Sequence, residues 1–248
     1  MTDFTVLALV AGTFLLAGSV KGVIGLGLPT VSLAVLTATI GLQPAMALLL
    51  VPSFVTNLWQ AVVGGNAKEI IARIWLFLIA ATVTVWLGSL VLVEVDVSYL
   101  SALLGLLLVV YSVLSLSRPT IAIPRAWEGW AGPVLGTANG ILTGMTGSFV
   151  VPGVLYLQAI GLPRDMLIQA MGMLFTVSTV ALGVALGGQE LLTVELGAIS
   201  AAAVIPAIIG MVFGQKIRQR LSEEKFRRVF FISTFILGLY IIVRSLGS

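Results

Sequence analysis

The chain has 248 residues, of which 59% are hydrophobic and 9% charged, and its mean hydropathy is +1.15; a soluble globular domain carries roughly 25% charge. This composition excludes a soluble domain and describes an integral membrane protein. The absence of both Cys and His removes disulfides, thiolate nucleophiles, imidazole bases and the usual transition-metal ligands together, so no metal and no cofactor is expected.

The first apolar run, residues 4–40, lacks a basic n-region and a small-residue cleavage site, so it is read as mature structure and not as a signal peptide. It is too long for one upright helix, since about 20 residues span the ~30 Å of hydrocarbon. It is also interrupted near its middle by "GSVKGVIGLGLP", Gly18 to Pro29. Runs at 44–64, 70–93 and 98–117 then read as ordinary spanning helices, followed by a short polar linker at 118–129. A second overlong run, 130–160, is broken by "GILTGMTGSFVVP", Gly140 to Pro152, and runs at 166–187, 192–214 and 226–246 complete the chain. Both broken runs are predicted to form helical hairpins or paired half-helices, because glycine and proline together interrupt a helical backbone.

Short cytoplasmic loops collect Lys and Arg, and this decides between two topologies. If each broken run returns to the side it started from, the loops with Lys68 and Arg73, Arg118 and Arg125, Arg164, and "QKIRQRLSEEKFRR" share one face, which places 11 of the 13 basic residues in the cytoplasm. The loops "VEVDVS" and "GGQELLTVE", which carry only acidic charge, fall outside. If each broken run crosses once, Arg164 and the 216–228 cluster land outside instead. The hairpin topology is therefore expected, with both chain termini outside. A hairpin plus three crossings is a net odd number, so the second half is inserted upside down. The expected fold is an all-α integral membrane protein of two inverted repeats, 1–117 and 130–248, joined by the cytoplasmic linker 118–129. Matching anchors support the pairing: Gly18, Gly22 and Gly25 share the spacing of Gly140, Gly144 and Gly147, "GLQPAM" parallels "GLPRDM", and "GGN" parallels "GGQ".

Inverted-repeat transporters place their substrate near the bilayer midplane, where discontinuous helices from both halves meet. The breaks would expose backbone N–H groups at a helix end, which with the helix dipole favour an anion. Candidate substrate-binding residues are therefore Lys21, Gly22, Gly25, Gly27, Pro29 and Thr30 in the first half, and Asn139, Thr143, Gly144, Thr146, Gly147 and Ser148 in the second. A plainer use of the same glycines is close helix packing, for which GxxxG spacing is suited. Lys21 is the one basic residue inside a broken run, and either faces the site or snorkels to the cytoplasmic surface. On the following helices Asn57, Gln60, Gln169 and Thr176 belong to polar stripes at helical spacing, which line a wet cavity or hydrogen-bond a neighbouring helix. The 216–228 cluster is read as a topology anchor with an attraction for anionic lipid headgroups, and Trp59, Trp75, Trp86, Trp127 and Trp130 as interfacial residues. A pI near 9.5 therefore reflects loop charge and not nucleic-acid binding.

The duplicated blocks "GSVKGVIGLGLPTVSLAVL" with "GLQPAMALLLVPSFVTNLWQAVVGGN", and "GILTGMTGSFVVPGVLYLQAIGLP" with "RDMLIQAMGMLFTVSTVALGVALGGQ", resemble the sulfite exporter TauE/SafE family of membrane transporters over nearly the whole chain. The family pattern has a denser run of glycines before the proline than Leu26-Gly27-Leu28 or Ser148-Phe149 provide. The resemblance implies multi-pass insertion in a bacterial cytoplasmic membrane and movement of a small anion such as sulfite or an organosulfonate, the expected partners being that anion and the bilayer, with a homo-oligomer left open. An exporter working by alternating access is the leading expectation, with an anion channel or an uptake permease as alternatives. No GxxxxGK[ST] loop for ATP is present, and without His, Cys or paired buried carboxylates an intramembrane enzyme is not expected.

Overall fold

The structure, a computed structural model, describes residues 3–117, 121–218 and 222–247. Arg118 and Arg220, two of the basic residues used for topology, lie outside them. Every regular element among the described residues is helical. Helix α1 (Phe4–Ile24) starts at Asp3, whose carboxylate accepts from the Thr5 amide at 3.1 Å, and ends at Gly25. After the break come α2 (Leu28–Ile40) and α3 (Leu42–Val62). Residues expected as one helix at 70–93 form α4 (Ala67–Val83) and α5 (Val85–Glu94), and those expected at 192–214 form α10 (Val194–Ala202) and α11 (Val204–Arg218). Between them lie α6 (Val97–Ser117), α7 (Glu128–Thr146), α8 (Gly153–Ala159) and α9 (Arg164–Gly188), and α12 (Glu223–Leu246) closes the chain. Among the described residues seven spans, with α4–α5 and α10–α11 each counted as one, are long and apolar enough to cross a membrane.

The two broken runs differ in length. In the first, α1 is long enough to cross, while α2, with 13 residues, covers about 20 Å at 1.5 Å per residue. In the second, α7 begins at Glu128, two residues before the run expected from 130, and the returning arm α8 has only 7 residues, about 10 Å of helix.

The chain forms two compact units, each drawing on both halves of the sequence. The first contains the residues up to Pro52, those from Asp96 to the end of α6, and those from Leu191 onward; the second contains Ser53–Val95 and the described residues from 121 to Glu190. In the first unit, α1 packs along α11 and α6 along α12. A Cβ on Gly18 would overlap the Ala207 carbonyl oxygen, one on Gly22 that of Met211, and ones on Gly210 and Gly214 those of Leu15 and Ser19. The backbones of α1 and α11 thus touch at four glycines, the close approach that small residues permit between membrane helices. In the second unit α7 makes the same kind of contact with α4 and α5: a Cβ on Gly140 would overlap Thr84 Oγ1, and one on Gly144 the Val85 carbonyl oxygen.

Pro52 sits inside α3. It has no N–H, so the carbonyl four residues earlier loses its helical donor. Ser200 of α10 supplies the replacement: its Oγ donates to the Leu48 carbonyl at 2.8 Å and accepts from the Val51 amide at 3.1 Å. Ser200 itself is fully buried.

Candidate functional site

The first break is set by two glycines in the left-handed region, Gly25 with φ 78° and Gly27 with φ 105°. The Gly25 amide donates back to the Lys21 carbonyl at 2.8 Å, closing α1. A Cβ on Gly25 would meet nothing within 4 Å, so its backbone angle and not lack of space requires glycine there. Gly27 then opens α2, with Pro29 in the first turn, where a missing N–H is harmless. No side chain caps this N-terminus, although Leu28 is fully buried and Thr30 is 4% exposed. A helix start leaves its first amides without intrahelical acceptors, and here they are buried at the positive end of the α2 dipole. Lys21, in the last turn of α1 and 5% exposed, is buried in protein and does not extend into open space.

The second break is braced by side chains. Gly147, with φ 73°, ends α7 by donating to the Thr143 carbonyl at 2.7 Å. Thr143 Oγ1 donates to the Ser148 carbonyl at 3.0 Å, the Ser148 amide donates to Thr146 Oγ1 at 3.3 Å, and Thr146 Oγ1 donates to the Leu142 carbonyl at 2.6 Å. The Val151–Pro152 peptide is cis. Asn139 caps the returning arm, its Oδ1 accepting from the Gly153 amide at 2.9 Å. Its Nδ2, fully buried, has no acceptor among the described residues. Phe149 is buried against Phe175, ring centroids 6.0 Å apart.

The candidate residues on α3 and α9 form a clamp. Gln60 Nε2 donates to the Ile168 carbonyl at 2.8 Å, and Gln169 Nε2 donates to the Ala61 carbonyl at 2.9 Å while its Oε1 accepts from the Asn66 amide at 3.1 Å. Each glutamine thus reaches the backbone beside the other. Thr176 Oγ1 bonds back within α9 to the Gly172 carbonyl at 2.7 Å, and Asn57 is fully buried. The structure therefore brings Lys21, Gly25, Gly27, Pro29 and Thr30 together around one uncapped helix start, and Asn139, Thr143, Thr146, Gly147 and Ser148 around a self-braced loop. Gly22 and Gly144 lie on helix-packing faces.

One side-chain pairing was hidden in the charge pattern. Arg73, read only as a topology marker, makes a fork with Glu128: Nε to Oε2 at 2.9 Å and Nη2 to Oε1 at 2.6 Å, with Nη2 also donating to the Ile160 carbonyl at 2.6 Å. This ties α4 to both arms of the second broken run. Glu128 stands at the start of α7, outside the seven spans, and its hydrogen bond from Arg73 holds its carboxyl below the usual carboxylate range. No sequence spacing links residues 73 and 128.

The model of one family, sulfite exporter TauE/SafE, matches residues 10–241, nearly all of the chain. The chain belongs to the sulfite exporter TauE/SafE family. No curated relative and no solved structure matches it. TauE/SafE membership and the seven apolar spans make it a multi-pass membrane protein of a transporter family.

Proposed function

We propose that the chain is a secondary transporter that exports a small anion, sulfite or an organosulfonate, across the cytoplasmic membrane by alternating access. The observation that carries the anion is the buried, uncapped N-terminus of α2. Its amides and dipole favour negative charge, and Lys21 supplies a cation in a region of low dielectric. Thr143, Thr146, Ser148, Gln60 and Gln169 serve the scaffold, while Asn139 Nδ2 remains a buried donor for substrate or water.

Two inverted repeats with hairpin topology are supported by helix directions inside each unit. In the first, Gly105 lies against Gly238 and Ile242, and Tyr111 against Phe231, so α6 and α12 are antiparallel. In the second, Gly172 lies against Gln60 and Gly64 against Gln169, so α3 and α9 are antiparallel. Broken runs that crossed once would make both pairs parallel. Glycines with positive φ also recur at matching anchors, Gly25 with Gly147 and Gly41 with Gly161.

Counterflow in proteoliposomes tests the transport reading. With unlabelled sulfite inside, external radiolabelled sulfite should accumulate transiently and saturably, and Lys21→Gln should weaken the apparent affinity about tenfold or more, the loss of roughly 1.4 kcal/mol. Flux that neither saturates nor exchanges would make the protein a channel. Unchanged affinity in Lys21→Gln would leave recognition to the α2 amides.

A further inference from the structure

We propose that the cleft at the far end of α2 is a second anion site, a vestibule for a small sulfonate or carboxylate built around Arg244. The cleft, of about 400 Å³, lies within the first compact unit, where the C-terminal ends of α2 and α12 meet the N-terminal end of α6. Its polar lining is cationic and hydroxylic: Arg244 with Thr37, Thr39, Ser98, Ser101 and Ser245, and no carboxylate. Asp96, the nearest acid along the chain, is outside the lining and accepts from the Ser98 amide at 2.8 Å. Arg244 spends one donor, Nη1, on the Ala38 carbonyl at the end of α2. Helix capping accounts for that bond and for a cation in the last turn of α12. It leaves the rest of the guanidinium, a fork suited to carboxylate or sulfonate oxygens, without a carboxylate partner among the described residues. Thr37 supplies the second observation: it is 7% exposed and its Oγ1 has no hydrogen-bond partner among the described residues, although buried hydroxyls are normally paired.

The site deepens the transport reading on which it rests. In the hairpin topology this end of α2 faces outside, and Arg244 is the one basic residue placed there. One helix, α2, would thus carry an anion-binding N-terminus at the break and an anion-attracting vestibule at its other end, about 20 Å away.

The chain has no cysteine, so a single Ser98→Cys reports on the cleft in detergent-purified protein, independently of transport. Its modification is followed with sulfonatoethyl, trimethylammonioethyl and methyl methanethiosulfonates, which are anionic, cationic and neutral. With Arg244 present, the anionic reagent should be favoured over the cationic one relative to the neutral reference, and millimolar ethanesulfonate should slow all three. In Arg244→Gln the anionic preference should fall about three- to tenfold and protection should vanish, while Arg244→Lys keeps the preference. The preference should shrink with added salt. An anionic preference unchanged in Arg244→Gln, or no protection by ethanesulfonate in the Arg244 protein, overturns the proposal. If Arg244→Gln loses neutral labelling through misfolding, the protection measurement on the Arg244 protein decides alone. Protection in a protein that fails counterflow would keep the vestibule and reject the transport reading, and counterflow without protection would do the reverse.

Discussion

Ser200 shows how one hydroxyl can answer a defect that the sequence states openly. A proline at position 52 of an apolar helix leaves the Leu48 carbonyl without its ladder partner, and in lipid such a group must find another donor. That much is legible from Pro52 alone; the donor's identity, 148 residues further along, is not, because a serine in an apolar run looks the same whether it bonds its own helix or another. Ser200→Ala should lower stability in detergent by about 1 kcal/mol, within the range for interhelical hydrogen bonds in membranes. Pro52→Ala restores an N–H to the ladder, so it should cancel most of that loss when combined with Ser200→Ala. Thermal unfolding of the two single variants and the double variant measures the coupling, and strictly additive losses would show that the Ser200 contact does not replace the missing bond.

At the scale of elements, glycines of one motif do two different jobs. Those at positions 18 and 22 let α1 lie on α11, whereas Gly25 turns the chain at positive φ with open space where a Cβ would stand. The break was readable because glycine and proline change the allowed backbone angles themselves. The interruptions at Thr84 and Ala203 were not, since both residues stay near helical angles, with φ −78° and −67°, and neither is a helix breaker. The shortness of α8 was equally hidden, because the residues after Pro152 are as apolar as those of a longer helix. The two uses of glycine separate by substitution. Gly18→Ala should reduce the yield of monodisperse protein, because its methyl group meets backbone that cannot give way. Gly25→Asn should fold nearly as the parent does, since Asn tolerates the left-handed region, while Gly25→Val should lose about 1–2 kcal/mol or more. Size-exclusion profiles and melting temperatures check this, and equal losses in Gly25→Asn and Gly25→Val would mean that the backbone angle is not what the position requires.

For the whole molecule, the charge pattern in the loops carried an expectation of topology, but the partner of each helix was out of reach. Periodicity and GxxxG spacing say that α1 and α7 approach something closely; they do not say that α1 takes α11 while α7 takes α4 and α5. The antiparallel directions of α6 against α12 and of α3 against α9 are independent of the loop charges, and they support the same hairpin arrangement. That arrangement is tested most sharply where the two topologies disagree, in the second half of the chain. Single cysteines at Ser222 and Glu190, in a chain with none of its own, place both loops with little disturbance, since Ser222→Cys is nearly isosteric and Glu190 is exposed in a loop. In intact cells a membrane-impermeant maleimide should modify the cysteine at 190 and leave the one at 222 untouched until the membrane is opened. Lys68→Cys serves as the reference, because both topologies place it inside. Labelling at 222 with protection at 190 would mean that the broken runs cross once, which would remove the inverted repeat and place Arg244 on the cytoplasmic side.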